Sequence, residues 1–69
     1  MKTYELMVHL HKKEPIGMAE WHESTTVEAV SMAQARRQAW LFARQEAQLA
    51  DAQITDAYAI DLETEEYSE

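Results

Sequence analysis

The chain has no cysteine, one glycine (Gly17) and one proline (Pro15) in 69 residues. Without cysteine, neither a disulfide framework nor a thiolate zinc site can stabilise it. A phosphate-cradling loop needs several glycines for close backbone approach, so a lone glycine excludes a P-loop or a dinucleotide fingerprint. No apolar run approaches the roughly 20 residues that span a bilayer. A strand pattern begins almost directly after Met1-Lys2, which leaves no stretch for a signal peptide and predicts a soluble, cytoplasmic protein.

Basic charge is missing from one end only. Residues 1–50 balance six bases (Lys2, Lys12, Lys13, Arg36, Arg37, Arg44) against six acids (Glu5, Glu14, Glu20, Glu23, Glu28, Glu46). Residues 51–69 hold Asp51, Asp56, Asp61, Glu63, Glu65, Glu66 and Glu69 with no base, which accounts for the whole net charge of -7. A free-standing nucleic-acid binder carries the opposite sign, because phosphate neutralisation dominates such affinity. Direct nucleic-acid or membrane binding is therefore not expected. At this length a single core is only marginally sufficient, and with disulfides excluded the common remaining support is oligomerisation, a homodimer being the simplest form.

What the chain does contain is one long helical stretch. Ser31 followed by Gln34 is a capping-box pattern, and seven alanines (33, 35, 39, 43, 47, 50, 52) with Gln, Glu and Arg give residues 31–52 strong intrinsic helicity. At about 100° per residue, Met32, Ala35, Ala39, Phe42, Ala43 and Ala50 form one stripe, flanked by Ala47 and Leu49. Such a stripe of small residues lets the helix axis sit close to what it covers.

The stretches on either side alternate. Tyr4, Leu6, Val8 and Leu10 mark a first half-buried strand over Lys2 to Lys12, and Met18 to about Ala29 forms a second, joined through a Glu14-Pro15-Ile16-Gly17 turn. Pairing Glu14 with Gly17 sets Leu10 against Trp21, Leu6 against Thr25 and Tyr4 against Val27, so both apolar sets share one face; a one-residue slip would waste it, although a type I turn closed by a glycine bulge would impose that slipped parity. That register also puts Glu23 on the apolar face, and the helix carries a matching oddity in Glu46. Ile54, Tyr58, Ile60 and Leu62 mark a third strand, with Ala57, Ala59 and Asp61 expected on the face away from the helix.

The expected fold is α+β, in the order β-β-α-β. A right-handed crossover skipping over the first strand gives a three-stranded antiparallel sheet of order 2-1-3 with the helix on one face. Residues 1–62 form the single domain, and 63–69 an acidic, frayed C-terminal tail.

Val27, Ala29, Ser31, Ala35 and Ala39 run from an apolar strand end through a serine cap into an alanine-lined helix. This junction resembles that of small β-β-α-β proteins of the archaeal ribosomal LX type, a resemblance covering about a quarter of the chain. It implies the same fold. It would also imply RNA contact through basic residues, and there this acidic chain departs from the pattern. In size and acidity the chain is also similar to small phage-encoded inhibitors, anti-CRISPR proteins among them, a resemblance without a shared motif.

Three constellations could carry function. His9 opposite His22 and His11 opposite Glu20 would share the sheet face away from the helix, where they could ligate a divalent ion, form a polar exposed face, or tune a dimer interface by protonation. Leu41 points away from the apolar stripe, and Trp40 sits at its edge near Arg36, Arg37 and Arg44. Trp40 either anchors a protein-binding hot spot or folds over the sheet edge to complete the core. Asp61, Glu63, Glu65 and Glu66 would form a negative ridge on the edge strand, which also discourages unwanted strand pairing. No nucleophile stands with an oxyanion hole, so no enzyme and no cofactor is expected. The expected function is a non-enzymatic interaction module, docking through Trp40, Leu41 and the acidic ridge on a basic, nucleic-acid-binding surface of a larger protein, as a phage or mobile-element inhibitor would. The alternative is a metal-binding protein built on His9, His11, His22 and Glu20.

Overall fold

A computed structural model describes residues 1–68. Strand β1 (Lys2–Glu14) is followed by β2 (Gly17–Ala29), helix α1 (Met32–Ala50) and β3 (Gln53–Asp61). The three strands form one antiparallel sheet in the order β2-β1-β3, the α+β fold expected from the alternation. Pairing of β1 with β2 runs without a shift from Lys2 opposite Ala29 to Glu14 opposite Gly17, the register that hydrophobic matching selects. Neither Pro15 nor Ile16 takes a positive φ, which excludes the primed hairpin turns, and Gly17 absorbs the reversal at a φ of 149°.

The helix begins as its sequence dictates. Ser31 is extended and its hydroxyl accepts from the Gln34 amide at 3.2 Å, while Gln34 Oε1 accepts from the Val30 amide at 2.8 Å. It ends at Asp51, left-handed with a φ of 52°, and the Ala52 amide closes the last turn onto the Ala47 carbonyl at 2.8 Å. Asp51 stands at the negative end of the helix dipole, but Lys12 reaches across from β1 to donate to the Ala50 carbonyl at 3.1 Å and supplies the cation that end favours.

Ala35, Ala39, Ala43 and Ala47 are the buried helix positions. Ala35, Ala39 and Ala43 cluster with Tyr4, Leu6 and Val8 of β1 and with Ala57 and Ala59 of β3, while Met32, Trp40, Phe42 and Ile54 pack half-buried around them. Small residues on both surfaces draw the helix down onto β1 and β3 and leave β2 little covered: Thr25 is exposed and Trp21 half-buried. Leu49, expected to flank the buried stripe, is 75 % exposed.

Two expectations for the C-terminal part are overturned. The pairing of β3 with β1 shifts by one residue between His9 and Leu10, so that His9 opposes Asp56 while Leu10 opposes Ile54. The extra residue, Thr55, reverses the parity of everything after it. Ala57, Ala59 and Asp61 therefore lie on the helix side opposite Val8, Leu6 and Tyr4, whereas Tyr58 and Ile60 lie on the open face. The physical reason is packing: alanines beneath an alanine-lined helix allow the close approach that Tyr58 and Ile60 would prevent. Leu62, expected to continue the alternation of the third strand, lies beyond its end and is exposed.

Nor does the tail fray over its described residues. The Asp61 amide donates to the Glu66 carbonyl at 2.8 Å, Glu65 turns the chain at a φ of 63°, and Tyr67 bridges to Ile60. Ser68 ties down the end, its amide donating to the Ala59 carbonyl and its hydroxyl accepting from the Ala59 amide, each at 2.8 Å. Glu69, the last of the expected acidic tail, lies outside the described residues. No helix among the described residues is long and apolar enough to cross a membrane.

Candidate functional site

The sheet face away from α1 is assembled from alternate residues of all three strands. β1 contributes Glu5, Met7, His9 and His11 to it, β2 contributes Met18, Glu20, His22 and Ser24, and the Thr55 bulge adds Asp56, Tyr58 and Ile60. Four rings follow one another across the strands. His22 and His9 lie 5.9 Å apart between ring centres, His9 and Tyr58 stack at 5.8 Å with a 20° tilt, and Tyr58 meets Tyr67 edge-on at 5.8 Å. Met7 and Ile60, half-buried like His9 and Tyr58, fill the rows beside them. The result is an aromatic and thioether centre rimmed by Glu5, Glu20 and Asp56, with Lys13 beyond them at the hairpin end, a composition similar to that of protein-binding surfaces with a polar rim.

The histidine arrangement takes the expected positions without converging. His9 opposes His22 and His11 opposes Glu20. His9 Nε2 points to the Tyr58 hydroxyl at 3.4 Å, and His11 Nδ1 is 2.6 Å from Thr55 Oγ1. Among the described residues no three His, Asp or Glu side chains come together as metal ligands.

The acidic ridge is divided by the same parity reversal. Asp61 is 5 % exposed and serves the fold: its Oδ1 accepts from the Glu63 amide at 2.9 Å and the Thr64 amide at 3.4 Å, and its Oδ2 pairs with Lys2 Nζ at 3.2 Å. The Glu63 amide, more than the Lys2 ammonium, holds the Asp61 carboxyl below its usual range against the opposing pull of burial, and Asp61 in turn raises Lys2. Asp61 thus leaves the set of partner-contacting residues. Glu63, Glu65 and Glu66 remain exposed, held out by the turn that Asp61 caps.

On α1, beside the edge strand β3, Trp40 is half-buried and packs against the core cluster, as the second reading of its position expected. It also lines a groove of about 390 Å³ with Ala33, Arg36, Arg37 and Arg44. Leu41 is 57 % exposed. Sequence reasoning missed Tyr58 and Ile60 as residues of the open face. The available signal was the small size of Ala57 and Ala59, which matches an alanine-lined helix better than Tyr58 and Ile60 do. No family model, curated protein or solved structure matches this chain.

Proposed function

We propose that this chain is a non-enzymatic protein-interaction module that docks on a basic surface of a larger protein. Contact is made through the open sheet face, with Tyr58 and Tyr67 as anchors and Glu63, Glu65 and Glu66 as the charged flank. The observation that carries this reading is the aromatic row from His22 to Tyr67, which ends beside an ordered acidic turn. Aromatic centres of this kind supply most of the energy of an interface, while exposed charges set its on-rate and its choice of partner. A similar row could stack single-stranded bases, but such platforms sit in basic grooves. Here the rim is acidic, which opposes a phosphate backbone and suits a protein that itself binds nucleic acid. An inhibitor competing with nucleic acid for that surface is the concrete form of the proposal.

The test is affinity capture with the parent chain, Tyr58→Ser/Tyr67→Ser and Glu63→Gln/Glu65→Gln/Glu66→Gln, followed by mass spectrometry and association kinetics on the captured protein. The tyrosine pair should lose the partner, with a drop of at least about tenfold in affinity for two interface anchors. The glutamine variant should associate more slowly at low salt and converge on the parent at high salt. A partner retained equally by all three chains would overturn the proposal.

A further inference from the structure

Arg36, Arg37 and Arg44 gather on the outer face of α1 around Trp40, in a protein whose net charge is -7. No acidic residue stands three or four positions from any of them along the helix, so the usual intrahelical pairing is missing. Among the described residues the ion pair formed is between Lys2 and Asp61, on another part of the surface. Asp56 lines a groove together with Arg36 and Trp40, yet among the described residues none of the three guanidinium groups forms an ion pair with a carboxylate, and they surround a half-buried indole. This arrangement fits an acidic segment that also carries an aromatic ring.

The chain itself presents such a segment. Glu63, Glu65 and Glu66 are exposed on a turn fixed by hydrogen bonds, and Tyr67, next in sequence, is 65 % exposed. Basic and acidic surfaces also border each other. One groove of about 330 Å³ is lined by Arg36 and Trp40 together with Asp56, Tyr58, Tyr67 and Ser68. A two-fold axis brings a patch against its own copy, so a patch with a basic half beside an acidic half is complementary to itself.

We infer that a second copy of this chain docks here, the acidic turn of each protomer seated on the Arg36–Arg37–Trp40–Arg44 face of the other. The pairing is reciprocal and closed, giving a dimer rather than a filament. A long polyanion is a poorer occupant, because it would meet the repulsion of the whole acidic body as well as the attraction of three arginines. Two copies repel each other too. At 0.1 M salt, however, that long-range repulsion is screened over about 10 Å while guanidinium–carboxylate contacts persist. Where the proposed function holds, the dimer covers the same acidic turn that a partner would engage. Self-association would then compete with docking, and only this last consequence rests on the functional reading.

Sedimentation equilibrium at 0.1 M salt, carried to high micromolar concentration, tests the inference with two charge-reversed chains, Arg36→Glu/Arg37→Glu and Glu63→Lys/Glu66→Lys. The parent should dimerise, and each reversed chain should associate at least about tenfold more weakly, since its reciprocal contacts become repulsive. An equimolar mixture of the two should recover the parental association, because every contact in the mixed dimer is again between opposite charges. All four positions are exposed, and circular dichroism verifies the fold; if the first chain does not fold, Arg36→Gln/Arg37→Gln is measured alone, without the mixture, and should itself associate more weakly than the parent. A monomeric parent, a reversed chain that dimerises like the parent, or a mixture that stays monomeric would each overturn the inference. A monomeric parent that still captured a partner through Tyr58 would leave the proposed function standing, and a dimer formed as described by a chain that captures nothing would do the reverse.

Discussion

The two faces of one sheet are built from the same three strands and differ in what their side chains are asked to do. On the covered face, Tyr4, Leu6, Val8 and Leu10 are almost completely buried beneath a helix whose own buried residues are alanines. On the open face, Met7, His9, Tyr58 and Ile60 are half-buried by their neighbours alone. Close packing of small residues allows one tight solution. A face of rings and a thioether, with acids at its edge, holds its shape without a cover and keeps its apolar surface available. The difference teaches that the covered face carries stability and leaves the open face free for the proposed docking, and that β1, the central strand, belongs to both.

The sharpest way to break that division is to truncate neighbouring residues of β1. Leu6→Ala removes a side chain 1 % exposed at the centre of the core, and should cost about 2–5 kcal/mol by chemical denaturation. Met7→Ala, one residue on and facing the other way, should stay within about 1 kcal/mol in stability while weakening partner binding. If the two substitutions destabilised the chain equally, the open face would be part of the core and the division would fail.

How far this arrangement could be read from the chain follows from where its signals are local. The hairpin register was legible because a slip of one residue would expose a whole apolar face, and the helix start was legible because Ser31 and Gln34 are a local chemical signal. The bulge at Thr55 was not. Alternation within β3 fits either parity, Ile54, Tyr58 and Ile60 in or Ala57, Ala59 and Asp61 in, and the choice is made by the thickness available under α1, a property of the assembled layers. With that parity went the placement of Asp61 and the composition of the recognition face. The folded-back tail was hidden for a similar reason: its bonds run to the edge of β3 and not to its own neighbours in sequence.

Asp61 joins the two faces, since it is buried on the covered side yet holds the turn that presents the acidic flank. Asp61→Ala should release the amides of Glu63 and Thr64, speed hydrogen exchange at Glu66 and Ser68, and slow partner association as the turn loses its shape. Its pH dependence has a definite sign. The carboxyl is depressed in the folded chain, so its contribution is present above the unfolded value near 3.8 and is lost as pH falls through the lower folded value. Destabilisation of the parent in strong acid should therefore be smaller in Asp61→Ala. Equal acid sensitivity in the two chains would show that Asp61 does not anchor the turn.

The smallest effect comes from β2, where the division between the faces is incomplete. Glu23 lies on the covered side by register, opposite Val8, but the helix sits over β1 and β3 and leaves it half-buried next to Glu46. Partial burial first, and the Glu46 carboxylate second, raise the Glu23 carboxyl above its ordinary value of 4.5. Because the folded chain holds this proton more tightly than the unfolded one, stability falls as pH rises from about 4.5 through the folded value, and above it the whole cost is present. Glu23→Gln removes the charge but keeps the shape, so it should raise the thermal midpoint at pH 7 by a modest amount, within about 0.5 kcal/mol for a position this exposed. The gain should shrink as the pH is lowered and vanish below about 4.5, where the parent is already protonated in both states. Pairing it with Glu46→Gln adds a second check. If Glu46 acts on Glu23 through its charge, the double variant should gain less than the sum of the single gains, since either change alone relieves the repulsion. Strict additivity would mean that the two carboxylates do not sense each other, and that Glu23 is raised by burial alone.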